Sequence, residues 1–100
     1  MEQPTVFAVD VGESRVKISG ELDLLTSPSM IDAVLKSTSA ELDLSEVTFM
    51  DARGVSALLR LRRARPEMRI VAVSAQVQRV LDMTNTAQDL LADSQLLAAA

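Results

Sequence analysis

The sequence has no cysteine, histidine, tryptophan or tyrosine, and only three glycines and two phenylalanines among its 100 residues. Without cysteine there are no disulfides, so nothing in the chain requires an oxidising compartment. The usual zinc ligands and nucleophile–base pairs are missing, and three glycines do not make a glycine-rich phosphate loop. Asp23 and Asp51, two carboxylates from separate loops, would supply only part of a metal site. The sequence therefore predicts a protein that is not an enzyme and binds no metal or cofactor.

The scarcity of aromatic side chains and the net charge of −4 argue against binding of nucleic acid. The first four residues are not a basic segment leading into an apolar stretch, as a secretory signal would be. No apolar run approaches the roughly 20 residues that span a bilayer. We therefore expect a cytoplasmic protein with no direct membrane insertion, folded as one domain over residues 1–100.

Short apolar strands alternate with helical patterns along the chain. Strands are predicted at residues 5–10, 15–22, 42–45 and 68–73, and helices at 28–37, 52–65, 76–83 and 86–97. The order strand, helix, strand implies parallel pairs joined by right-handed crossovers. The predicted fold class is α/β, with a mixed sheet of about four strands packed against three to four helices. The second strand alternates polar and apolar residues, so Val16, Ile18 and Leu22 are expected to face inward. In the first helix, the residues expected to face the core are Met30, Ile31, Val34 and Leu35.

The residues between the third strand and the second helix are predicted to form the central junction of the fold. Asp51 precedes the helix, where its carboxylate would accept hydrogen bonds from free amides and face the positive end of the dipole, so it is the predicted N-cap. Phe49 and Met50 come just before it. Two large apolar residues at this place either staple the loop to the core or stand exposed for a partner, and one staple needs only one of them.

This junction resembles a known family. The matching residues are Asp43-Leu44-Ser45, Val47, Phe49-Met50-Asp51, Gly54, Gly20-Glu21-Leu22-Asp23, Thr26 and the stretch 77–84. In order and spacing they are similar to the STAS domain of bacterial anti-sigma factor antagonists. The resemblance implies a protein that binds an anti-sigma factor, a serine kinase of the switch type, and so releases a sigma factor in transcription regulation under stress. The partner-binding residues that it implies are Asp23, Thr26, Phe49, Met50, Asp51, Ala52, Arg53 and Gly54.

The chain departs from the family pattern where the family carries a phosphorylated serine or threonine. These positions are Ala52 and Arg53, which have no hydroxyl. A phosphate would add a charge of about −1.5 to −2, whereas Arg53 is a cation. The resemblance then implies a protein that is always competent to bind, or one released by other means. The alternative is a non-catalytic STAS scaffold or regulatory subunit of a stress-signalling or transporter complex.

An arginine-rich side of the second helix is the other candidate surface. At about 100° per residue, Arg53, Ser56, Arg60 and Arg63 fall together on the side away from the apolar residues. A cation in the first turn meets the helix dipole unfavourably, so Arg53 either contacts an acidic group on a partner or is a solvated, silent arginine. Ser56, with Arg53 and Arg60 at i−3 and i+4, is either an alternative phosphorylation site or an ordinary exposed serine.

Overall fold

The computed structural model describes residues 7–91, which form one mixed sheet of four strands and four helices. The strands are β1 (Ala8–Val11), β2 (Arg15–Leu22), β3 (Glu41–Met50) and β4 (Arg69–Val73). The helices are α1 (Ser27–Lys36), α2 (Ala52–Ala64), α3 (Ala75–Met83) and α4 (Ala87–Leu91). The predicted α/β class and the order of the elements are confirmed.

The sheet has the order β1-β2-β3-β4, in which β1 and β2 are antiparallel and the other two pairs are parallel. Helix α1 connects β2 to β3, and helix α2 connects β3 to β4. Because such crossovers are right-handed, both helices lie on the same side of the sheet, where they contact each other. Both helices begin at the edge where β2 and β3 end, so that edge collects two loops and two helix N-termini.

The core is almost wholly aliphatic, as the scarcity of aromatic residues requires. Strand β2 alternates as predicted, with Val16, Ile18 and Leu22 fully buried. The remaining core side chains with 2% exposure or less are Met30, Val34, Leu42, Leu44, Val47, Ala57, Leu58, Leu61, Val77, Leu81 and Leu90. Burying each large aliphatic side chain contributes roughly 1.5–3 kcal/mol.

Strand β3 is longer than the sequence predicts, and the expected loop at residues 47–50 is wrong. Two irregularities in the pairing with β2 explain the error. Lys17 and Ser19 lie opposite Asp43 and Glu46, so two steps along β2 match three along β3, and a second shift follows before Phe49. Bulges of this kind interrupt the alternation by which a strand is recognised. The Asp43 carboxylate supports the first bulge by accepting hydrogen bonds from the Ser45 amide (2.8 Å) and hydroxyl (2.6 Å).

Helix α1 presents a narrower stripe to the core than the sequence predicts. Met30 and Val34 are buried, but Leu35 is 46% exposed, so its expected place in the core is wrong. On a helix of 3.6 residues per turn, Ile31 and Leu35 lie about 100° round the axis from Met30 and Val34. Ile31 and Leu35 therefore lie on the flank of α1 that borders α2, and Ile31 is half-buried there.

Arg65 ties the end of α2 to the end of α1. Its guanidinium donates hydrogen bonds to the carbonyls of Val34 (3.0 Å), Ser37 (3.0 Å) and Ser39 (2.7 Å), and its Nε donates to Glu67 (3.1 Å). The Arg65 side chain is 16% exposed. The pKa of the exposed Glu67 carboxyl is lowered by a hydrogen bond from the backbone amide of Glu67 and by the one from Arg65.

The carboxyl-terminal part of the fold follows the predicted order. Asn85 follows α3 with a φ of 63°, the left-handed conformation that asparagine tolerates at the end of a helix. Helix α4 occupies the start of the predicted closing helix; the rest of that prediction, like residues 5 and 6 of the first strand, lies outside the described residues. Between residues 7 and 91, no helix is long and apolar enough to cross a membrane.

Candidate protein-binding site

The start of α2 is fixed by Asp51. Its Oδ1 accepts hydrogen bonds from the amides of Arg53 (2.9 Å) and Gly54 (3.1 Å), which confirms the predicted N-cap. Its own amide approaches the carbonyl oxygen of Leu22 at 3.4 Å, which ties the helix start to the end of β2. The carboxylate is turned toward the helix backbone, and the next two side chains, Ala52 and Arg53, are exposed.

Gly54 holds the helix start close to β2. A Cβ at this position would lie 2.6 Å from the carbonyl oxygen of Leu22 and 2.6 Å from Cγ of Met50. Contacts under 3.0 Å require a shift, and one of these neighbours is backbone. Gly54 is buried, so it serves the packing of the junction and offers a partner no side chain.

Phe49 and Met50 have opposite environments. Successive side chains of a strand point to opposite faces, and in the pairing with β2 Met50 lies opposite Leu22 and Phe49 opposite Glu21. Met50 is 4% exposed and belongs to the core, whereas Phe49 is 47% exposed. Met50, one of the partner-binding residues implied by the resemblance, is buried here because strand alternation turns its side chain inward. Phe49 is the apolar side chain of the pair that stands in solvent.

Asp23 and Thr26 organise the loop between β2 and α1. The Asp23 Oδ1 accepts hydrogen bonds from the amides of Leu25 (3.0 Å) and Thr26 (3.1 Å), and the Thr26 hydroxyl donates to the Glu21 carbonyl (2.7 Å). The same hydroxyl accepts a hydrogen bond from the Asp23 amide (3.0 Å). Both polar side chains thus stabilise their own loop, and the loop displays Leu24 (58% exposed) and Leu25 (85% exposed). These two leucines were missed by the sequence analysis.

Helix α2 shows the predicted division into two sides. Val55, Leu58 and Leu61 are buried, while the four residues on the other side, Arg53, Ser56, Arg60 and Arg63, are exposed. Among residues 7–91, none of these three arginines has a hydrogen bond or ion pair.

A groove of about 370 Å³ separates α1 from α2. The α1 side and the preceding loop contribute Leu24, Ser27, Pro28, Ile31, Asp32 and Leu35, and the α2 side contributes Arg53, Ser56, Ala57 and Arg60. This groove was not predicted from the sequence, because the helical pattern assigns Leu35 to the core. The signal that would have found it is the apolar flank Ile31 and Leu35, displaced by one residue from the buried pair Met30 and Val34.

No group of three or more acidic residues in the described part of the chain is arranged to hold a metal ion. This edge of the molecule offers exposed apolar side chains, arginines without a partner among the described residues, and loops held by their own hydrogen bonds. Such a surface is suited to binding a protein.

Comparison with known proteins identifies one family, and two of the solved structures similar to this chain are anti-sigma factor antagonists. The model of a family described as "Mlab, STAS domain" matches residues 6–97. The structure of the anti-sigma factor antagonist SpoIIAA in its unphosphorylated form is 17% identical, with a TM-score of 0.64 over 93% of this chain and 90% of that one. An anti-sigma factor antagonist from Mycobacterium paratuberculosis is 23% identical, with a TM-score of 0.66 over 93% of this chain and 87% of that one. The chain matches no curated protein. At these identities, the two structures establish a common fold.

Proposed function

Since the chain belongs to the STAS domain family, we propose that it is a non-catalytic, protein-binding regulator of the anti-sigma factor antagonist type, formed by residues 1–100 as one domain. It binds an anti-sigma factor of the switch-kinase type in the cytoplasm and thereby releases a sigma factor for transcription under stress. It acts through protein contacts, without binding nucleic acid or a cofactor.

The observation that carries this proposal is the exposure of Phe49 beside the capped start of α2. We call the junction surface the exposed side chains of Phe49, Ala52 and Arg53 together with Leu24 and Leu25 of the adjoining loop. An aromatic side chain left 47% exposed just before a capped helix start is a candidate contact for a protein partner. The loop and the helix start are held by Asp23, Thr26 and Asp51, so the surface is already ordered before a partner arrives.

The junction surface has no hydroxyl at the positions that the family resemblance implies for phosphorylation. Ala52 and Arg53 are both exposed there, and neither can be phosphorylated. Binding is therefore constitutive at this surface or is controlled elsewhere. Ser56 is exposed on the next turn of α2 and is the alternative phosphorylation site that we propose, with Arg53 and Arg60 available to pair with a phosphate.

A second candidate function is that of a scaffold or regulatory subunit in a stress-signalling or transporter complex. It is favoured by the description of the matching family model, which names Mlab and not an anti-sigma factor antagonist. The missing hydroxyl favours it too, because a scaffold needs no phosphorylation switch.

The test uses the purified protein and the switch-type anti-sigma kinases encoded in the same genome, with ATP. We expect a complex on size-exclusion chromatography and no mass increase of the domain; a gain of one phosphate would assign Ser56 if Ser56→Ala abolished it. Failure of every kinase to bind would refute the antagonist function. Co-purification of membrane proteins from the native cell would then support the second candidate.

The matched variants are Phe49→Ala and Met83→Ala. Met83 is 78% exposed at the end of α3, so its loss removes an exposed apolar side chain outside the junction surface. We expect Phe49→Ala to weaken the kinase complex and Met83→Ala to leave it unchanged.

A further inference from the structure

The groove between α1 and α2 starts at the junction surface and follows both helices. Arg53 and Arg60, which lie on its α2 side, are seven residues apart, which is about 10 Å or two turns along the helix. We propose that this groove binds an acidic amphipathic helix of the protein partner. The proposal rests on the function proposed above, since it names the part of the partner that the domain would recognise.

The apolar residues that line the groove are spaced so that the apolar side of a second helix could pack along them. Pro28, Ile31 and Leu35 line the α1 side at positions i, i+3 and i+7, which places them along two turns. Leu35 is 46% exposed and Leu24, which also belongs to the junction surface, is 58% exposed, while Ala57 is 2% exposed. Helices that bind in grooves use apolar residues at i, i+3 or i+4, and i+7, so the groove suits a segment of about two turns.

The charges of the groove select an acidic occupant. Arg53 and Arg60 form no hydrogen bond or ion pair with any other residue between 7 and 91. Asp32, an acidic residue on the α1 side of the groove, pairs with Lys36 at 3.2 Å. The chain as a whole has a net charge of −4, whereas these two arginines give the α2 side of the groove a positive charge. Carboxylates on the partner would complement them and would also set its orientation.

The stability of the fold does not explain why an arginine occupies position 53. Asp51 already caps α2 through two amides, and a cation in the first turn opposes the helix dipole. Arg53 is exposed, so it also contributes nothing to the core. Its position at the entrance of the groove is explained if it pairs with a carboxylate of a bound helix.

The experiment measures fluorescence anisotropy of a labelled, stapled helical peptide with leucines at i, i+3 and i+7 flanked by glutamates. A second peptide carries lysine in place of each glutamate. The groove variants are Arg60→Glu and Leu35→Glu, which leave the junction surface intact, and the control is Arg63→Glu, an exposed arginine of α2 that does not line the groove. We expect saturable binding of the acidic peptide, weakened roughly tenfold by either groove variant, unchanged by Arg63→Glu, and reduced by salt.

Two results would overturn the inference: absence of saturable binding at millimolar acidic peptide, or equal binding of the lysine peptide. Circular dichroism of each variant checks that the fold is retained. The same variants separate this inference from the proposed function. If a switch kinase binds Arg60→Glu and Leu35→Glu as tightly as the unmodified protein, the groove is not part of its binding site; this result also overturns the inference and leaves the proposed function standing. Phe49→Ala should weaken kinase binding and leave peptide binding intact.

Discussion

Replacing Arg65 with alanine is expected to destabilise the domain although Arg65 lies outside the hydrophobic core. Its guanidinium donates to three backbone carbonyls, those of Val34, Ser37 and Ser39, at 2.7–3.0 Å. A hydrogen bond that involves a charged group contributes about 1.5–3 kcal/mol, but the Val34 carbonyl also accepts from the Ser37 amide and hydroxyl and keeps these partners when the arginine is removed. We therefore expect a loss of about 2–4 kcal/mol, a large fraction of the 5–15 kcal/mol typical of a folded domain.

The assay is thermal and urea unfolding followed by circular dichroism. For a domain of this size, the expected loss lowers the melting temperature by roughly 10–20 °C. Arg65→Lys should recover less than half of the loss, because one ammonium group cannot reach three carbonyls as a planar fork does. Arg63→Ala is the matched control and should change little, since that arginine is exposed and has no described partner. A melting temperature of Arg65→Ala within a degree or two of the unmodified protein would refute the reasoning.

Three further perturbations test the junction and the turn after α2. Gly54→Ala places a methyl group 2.6 Å from a backbone oxygen. The free energy of unfolding in urea should fall by about 1–3 kcal/mol, although alanine has the better helix propensity. A more stable variant would contradict the packing role of Gly54. Asp51→Ala removes the N-cap and should lower the free energy of unfolding by about 1 kcal/mol, whereas Asp51→Asn should keep most of that stability because asparagine can also cap. An equal loss in both variants would show that the negative charge matters more than the capping hydrogen bonds. The lowered pKa of Glu67 means that its ionised form is favoured in the folded state, so its stabilisation is present above the unfolded pKa of about 4.3 and is lost as pH falls through the folded value. Melting temperatures of Glu67→Gln and the unmodified protein should accordingly converge in acid, and a constant difference would exclude this linkage.

The elements that the sequence predicted well are those whose periodicity is uninterrupted. Strand β2 alternates over its whole length, and its buried residues were named correctly. The N-cap at Asp51 was also predictable, because capping depends on the residue type and its place before a helical pattern. A feature that depends on one strand or one helix alone can therefore be predicted from the local sequence.

The errors arise where two elements meet. The second half of β3 was predicted to be a loop because its bulges against β2 interrupt the alternation of polar and apolar residues. The register between two strands cannot be read from the sequence of one of them. Leu35 was assigned to the core because the pattern gives the apolar side of α1 but not how much of it α2 covers. The groove follows from that same spacing between helices, so it became visible only in the structure.

The candidate site was predicted in outline. The junction is recognisable in the sequence, but whether Phe49 or Met50 faces solvent is not; strand pairing decides that Phe49 does. Asp23 and Thr26 were expected to bind a partner, and their hydrogen bonds give them a role inside their own loop. Their effect on binding would be indirect, through the exposed leucines that the loop presents.

The central claim is that the junction surface binds a protein partner through Phe49. The most direct measurement is the dissociation constant of the switch-kinase complex, by isothermal titration calorimetry, for Phe49→Ala and for Met83→Ala. Loss of an aromatic side chain at the centre of an interface costs about 2 kcal/mol or more, so Phe49→Ala should bind at least about thirtyfold more weakly while Met83→Ala matches the unmodified protein. Equal affinities of the two variants, in a complex that does form, would contradict the account.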